Sequence, residues 1–218
     1  GTSIAPDYNA SKGRFWSAAP EWLAQAKPTS DGGNSLLLSF IQEIDMCIDK
    51  TLSRLKDGYQ IDAFLWHQGE SDYAKSKDYY RNLKTMVAYV RMHLTEKTGK
   101  DYSRLPFIFG TVARSNKYFS REVENAMKQL AAEDPNMHLI DMSGAELLND
   151  RLHFTAHSAE YLGQQVYKQL EQIIKGVTVR TDELKGKRLG IIGDSYVKNH
   201  KEPVKNTWHY KFAEKHGM

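Results

Sequence analysis

Cysteine is nearly missing from this sequence: Cys47 is the sole thiol in 218 residues, and one thiol builds neither a disulfide framework nor a cysteine-based zinc site. Long apolar runs are missing too. Mean hydropathy is -0.61, and no stretch approaches the roughly 18 residues that cross a bilayer. Nothing near Gly1 reads as a basic start followed by an apolar segment, so no secretory leader is legible; glycine in place of methionine is the mark of a processed or truncated start. Charge of one sign is scarce, with a formal net of +3. What is present, 40% hydrophobic, 11% aromatic and 26% charged residues, excludes a disordered chain and describes one globular domain or slightly more.

The charge is unevenly placed. Residues 1–174 hold 20 Lys and Arg against 22 Asp and Glu, a net of -2, whereas residues 175–218 hold 10 against 5, a net of +5. The basic residues of this tail are spread among Val, Ile, Trp and Tyr, with no block of five or six. That spacing speaks against a nucleic-acid arm and for a second folded segment.

Apolar periodicity alternates between helix and strand. Leu37, Ile41, Ile44, Ile48, Leu52 and Leu55 recur at three and four residues and predict a helix over 35–55, with Cys47 beside its inner face as a small core residue. A short apolar run at 61–66 predicts a buried strand, Tyr79, Leu83, Met86, Val90 and Leu94 a helix, and 105–112 a second strand. Val123, Met127 and Leu130 predict a helix over 120–132, 137–142 reads as a third strand, and Leu162, Val166, Leu170 and Ile173 line a helix running to about 174. Residues 177–187 read as a polar linker, 189–192 as a further strand and 206–216 as a helix. Such alternation implies an α/β fold with a parallel sheet, covered on both faces and functional at the carboxyl ends of its strands.

Three polar clusters stand at such ends. Asp150-Arg151-Leu152-His153 places a carboxylate three residues ahead of an imidazole, close enough to accept from Nδ1 and leave Nε2 as a base toward a hydroxyl. Gly193-Asp194-Ser195 follows an apolar strand, where a serine hydroxyl points into the crevice. Trp66-His67-Gln68-Gly69-Glu70-Ser71-Asp72 is the most specific: the Gln68 amide can donate to a developing oxyanion, Gly69 permits a close turn, and two carboxylates can hold neighbouring loops or a histidine. His93, His138 and His157 show no metal-ligand spacing, and there is no cofactor signal.

On these blocks the chain resembles the SGNH hydrolase superfamily, in its sialate O-acetylesterase and acetylxylan-esterase branch, carbohydrate esterase family 6. The stretch from Trp66 to Asp72 resembles that branch's His-Gln-Gly-Glu block, and Asp150, His153 and Phe154 its Asp-x-x-His block; residues 1–4 are similar to its glycine-bearing block after the second strand. The resemblance covers about residues 1–175. It implies a three-layer, flavodoxin-like fold, with His153 as general base, Asp150 as its orienting acid, Glu70 as a second candidate partner of that histidine, and Gln68 and Gly1 as oxyanion donors. It further implies an acetylated carbohydrate substrate, no cofactor or metal, no nucleic-acid partner, no membrane span and a secreted or periplasmic location, and leaves the oligomeric state open.

The family's opening strand and nucleophile block have no counterpart ahead of Gly1. Residues 188–218 instead resemble the opening strand and Gly-Asp-Ser block of a GDSL-type esterase, so the expected domains are 1–176, a linker at 177–187, and the start of a second SGNH domain at 188–218. Either the strand at 189–192 fills the first-strand slot of a circularly permuted sheet and brings Ser195 toward His153, or it opens a separate domain and the first module is incomplete. The implied function is a serine carbohydrate O-acetylesterase. The alternative is a catalytically silent fragment or carbohydrate-binding module without a competent nucleophile.

Overall fold

The computed structural model describes residues 2–6, 13–175 and 214. Gly1, the linker at 177–187, the strand at 189–192, Ser195, and the helix at 206–216 apart from Glu214 lie outside the described residues. The chain divides into two units, Gly1–Gln169 and Leu170–Met218. In the second, residues 170–175 and Glu214 are helical.

The first unit is built on three strands, β1 (Phe64–Trp66), β2 (Phe107–Gly110) and β3 (Met137–Ile140). They run parallel in the order β1-β2-β3, with Phe64 beside Phe107 and Phe107 beside Met137. Each is shorter than its apolar run predicts: β1 loses residues at its entry, β3 at its exit and β2 at both ends. Side chains alternate between the two faces of the sheet. Phe64, Trp66, Phe107, Phe109, Met137 and Leu139 join one hydrophobic cluster with the helices, whereas Ile108 and Ile140 are buried outside it. On that second face Gln169 hydrogen-bonds His138, and Leu65, in register with Ile108, is 41% exposed. Phe107, Ile108 and Phe109 are each 1% exposed, and burial of such side chains contributes about 1.5–3 kcal/mol apiece. That places β2 at the centre of the core.

Among the described residues α1 (Pro20–Leu23) is a short helix not predicted from the sequence, and α2 (Leu36–Lys50), α3 (Tyr79–Thr98), α4 (Arg121–Glu133) and α5 (Ala156–Lys175) follow the predicted alternation. Helix α2 starts where Ser35 accepts from the Leu38 N-H and buries Leu37, Ile41, Ile44 and Ile48, as its period predicts. It ends before Leu52, because Thr51 leaves helical geometry and residues Leu52–Arg54 form a separate 3-10 turn. Cys47 is half-buried. Ser120 caps α4 through the Val123 N-H, and Gly99, at a left-handed φ of 69°, closes α3. Parallel strands with helical connections make this an α/β fold, consistent with a three-layer SGNH-like arrangement.

Candidate active site

The exit of β1 is set by one glycine. Gly69 adopts φ +155°, and a Cβ there would stand 2.7 Å from Val112 Cγ2 and 3.0 Å from Met127 Cε. Only glycine both reaches this backbone region and fits the space. The chain thereby turns sharply into a 3-10 segment, Glu70–Asp78, and Asp72 is carried inward until it is 0% exposed. Its carboxylate accepts from Ser3 Oγ at 2.7 Å, the Ile4 N-H at 2.9 Å, the Ala5 N-H at 3.0 Å and Gln68 Nε2 at 2.5 Å. A buried carboxylate needs such donors, and here three of them belong to the N-terminal segment. Gln68 Nε2 also donates to the Thr2 carbonyl at 3.0 Å, and Tyr79 Oη donates to the Gln68 carbonyl at 3.1 Å. Burial, and then the charges of Asp72 and Glu70, push the Tyr79 phenol well above its ordinary value.

The second element is the loop between β3 and α5. Leu147 and Phe154 form an antiparallel bridge, the Leu148 N-H donates to the His153 carbonyl at 2.8 Å, and Arg151 takes a left-handed φ of 54°. That conformation costs a non-glycine residue about 1–2 kcal/mol. Asp150 Oδ1 accepts from the Leu152 and His153 N-H groups at 2.9 and 3.0 Å, and Asp150 Oδ2 lies 2.6 Å from His153 Nδ1. The His153 side chain, followed by its two neighbouring amides, lowers the Asp150 carboxyl to about 2. An ionised carboxylate only accepts, so Nδ1 carries the hydrogen of this bond and Nε2 of the neutral ring keeps its lone pair. The imidazole remains 58% exposed and its carboxylate 44%, open to a substrate.

These two elements meet through His67 and Phe154, whose ring centroids are 5.0 Å apart. Gly110, at the end of β2, makes room for the His67 ring, since a Cβ there would lie 2.9 Å from His67 Nδ1. A third loop, after β2, is tied to the histidine loop: Asn116 Nδ2 donates to the Leu152 carbonyl at 3.3 Å and the Lys117 N-H to the Arg151 carbonyl at 3.1 Å.

Among the residues expected from the sequence, Asp150 and His153 are thus paired, and Gln68 lies with the N-terminal segment. The two carboxylates of the third cluster divide their work. Asp72 holds the neighbouring segment, while Glu70 Oε1 approaches His67 Nε2 at 3.8 Å, a contact longer than a hydrogen bond. Ser195 and Gly1 lie outside the described residues. The loop after β2 was not singled out from the sequence, although its place at a strand's carboxyl end is the signal that finds it. Among the described residues no group of three or more His, Cys, Asp or Glu is placed to hold a metal ion, and no helix is long and apolar enough to cross a membrane.

The chain is similar to known proteins over part of its length. A family model described as carbohydrate esterase, sialic acid-specific acetylesterase matches residues 27–172, a span that holds all three strands, Gln68, Asp72, Asp150 and His153. A probable carbohydrate esterase of Arabidopsis thaliana is 29% identical over 119 residues, covering 53% of this chain and 42% of that protein. An X-ray structure of an Arabidopsis thaliana protein with the same locus name aligns at a TM-score of 0.50 and 26% identity, covering 63% of this chain and 53% of that one. The chain therefore spans about half the length of the relatives it matches.

Proposed function

The chain belongs to the family described as carbohydrate esterase, sialic acid-specific acetylesterase, and from that premise we propose that it serves as a serine-type O-acetylesterase acting on an acetylated carbohydrate. The observation that carries this reading is the exposed pair of His153 Nδ1 and Asp150 Oδ2 at 2.6 Å. The ring is oriented through Nδ1 while its side chain is 58% exposed.

In the proposed mechanism a serine hydroxyl attacks the acetyl carbonyl carbon while His153 Nε2 takes its proton, and Asp150 holds the ring and stabilises the imidazolium. The tetrahedral oxyanion then collapses, His153 returns the proton to the departing sugar oxygen, and water hydrolyses the acetyl-serine by the same steps. Ser195, in the Gly-Asp-Ser block, is the candidate nucleophile within this sequence. Gln68 and Gly1 are the proposed oxyanion donors. Both amide hydrogens of Gln68 are engaged, with Thr2 and Asp72, so donation to the oxyanion requires the Thr2 carbonyl to give way to the substrate oxygen. Glu70, through its contact with His67, is proposed to position the ring that packs against Phe154.

The test is acetate release from acetylated xylo-oligosaccharide and from O-acetylated sialic acid. Release by the wild-type chain that falls about 10²–10⁴-fold or more in His153→Ala supports the reading. No release from either substrate, or equal release by the variant, contradicts it. Loss in Ser195→Ala identifies the nucleophile, and unchanged turnover in that variant removes Ser195 from the mechanism.

A further inference from the structure

Two surface tyrosines meet beside the histidine loop, and the chemistry described above uses neither. Tyr73 is 49% exposed and Tyr118 36%, yet their ring centroids lie 5.0 Å apart with planes inclined at 32°. Lys117 Nζ stands 5.3 Å from the Tyr118 centroid. Both rings are fastened to the candidate site. Tyr73 directly follows Asp72, the buried carboxylate that anchors the N-terminal segment. The Tyr118 N-H donates to Asn116 Oδ1 at 2.9 Å; the same side chain donates to the Leu152 carbonyl, next to His153. Tyrosines offer a large amphipathic contact area and have only two side-chain torsions to fix.

We propose that Tyr73, backed by Tyr118, is a stacking subsite for a pyranose ring of the saccharide that carries the acetyl group. The inference rests on the esterase reading for its place beside the reaction centre. A pyranose presents a face of C-H bonds, polarised positively by the ring and hydroxyl oxygens, and this face suits the electron-rich face of a phenol. The hydroxyls around its edge match the phenolic groups at hand.

The experiment is calorimetric binding of acetylated xylotetraose and O-acetylated sialyllactose to the chain, with acetate release from the same ligands measured in parallel. The variants are Tyr73→Ala, Tyr118→Ala and Tyr73→Phe, with Tyr161→Ala as a control; Tyr161 is 43% exposed and lies on α5. Binding of at least one ligand by wild type is expected. Tyr73→Ala should weaken it about 5-fold or more, from an aromatic contact of ordinary strength; Tyr118→Ala should act in the same direction, and Tyr73→Phe and the control should stay within about 2-fold. No binding of either ligand, or binding by Tyr73→Ala within about 2-fold of wild type, overturns the subsite. Acetate release with tyrosine-independent binding removes the subsite and keeps the esterase. Tyrosine-dependent binding without acetate release keeps the subsite and removes the esterase.

Discussion

Removal of the Asp72 carboxylate should loosen the N-terminal segment from the rest of the first unit. Asp72 is 0% exposed and accepts from Ser3 Oγ, the Ile4 and Ala5 amides and Gln68 Nε2. In Asp72→Ala, Gln68 keeps the Thr2 carbonyl and Ser3 can turn to water, but two buried backbone amides lose their acceptor at about 1–3 kcal/mol each. The lost attraction of a charged acceptor adds about 1–2 kcal/mol, and relief of the buried charge offsets part of it. The net expectation is about 2–5 kcal/mol. For a chain of this size each kcal/mol lowers the melting temperature by about 2–4 °C, so the variant should melt about 5–15 °C below wild type. Asp72→Asn keeps the shape and one oxygen but turns an NH2 against a donor, and should fall between the two. Circular-dichroism melting gives the stability, and amide hydrogen exchange at Ile4 and Ala5 gives the location. A melting temperature within about 2 °C of wild type, with both amides still protected, would refute the anchoring role.

Gly69→Ala should destabilise the fold by about 2–4 kcal/mol, from backbone strain at φ +155° and the approach to Val112 and Met127; a chemical-denaturation midpoint matching wild type would contradict this. The Asp150 carboxyl should titrate near 2 by carbon-13 NMR, and rise toward the ordinary carboxylate value in His153→Ala, since the imidazole is the first cause of the shift. Its folded value lies below its unfolded one, so its interactions are fully present above about pH 3.9 and fade as pH falls through about 2. Asp150→Asn should therefore lower acetate release at every pH from 5 to 8, and release equal to wild type across that range would count against the pairing.

Local pattern made much of this legible. The three- and four-residue spacing of Leu37, Ile41, Ile44 and Ile48 marks the buried face of α2 because a helix repeats every 3.6 residues, and the Asp150 and His153 pair is readable because its partners are three residues apart. What escaped has partners remote in sequence. Three of the four donors to Asp72 lie 67 to 69 residues earlier, and Gln68 reaches Thr2 across 66, contacts that leave no periodic trace. Glu70 could be read as a partner for a histidine, but the choice of His67 depends on the Gly69 turn and on the space left by Gly110. The meeting of Tyr73 and Tyr118 likewise follows from which strand exits are neighbours in the sheet, not from either tyrosine's own surroundings in sequence.

The central claim is that His153, held by Asp150, activates a serine. Reaction with a fluorophosphonate, read by mass spectrometry of the intact chain and its peptides, tests it directly. The account predicts one adduct, on a single serine, whose formation is abolished in His153→Ala. Absence of any adduct, or labelling undiminished in that variant, would contradict it.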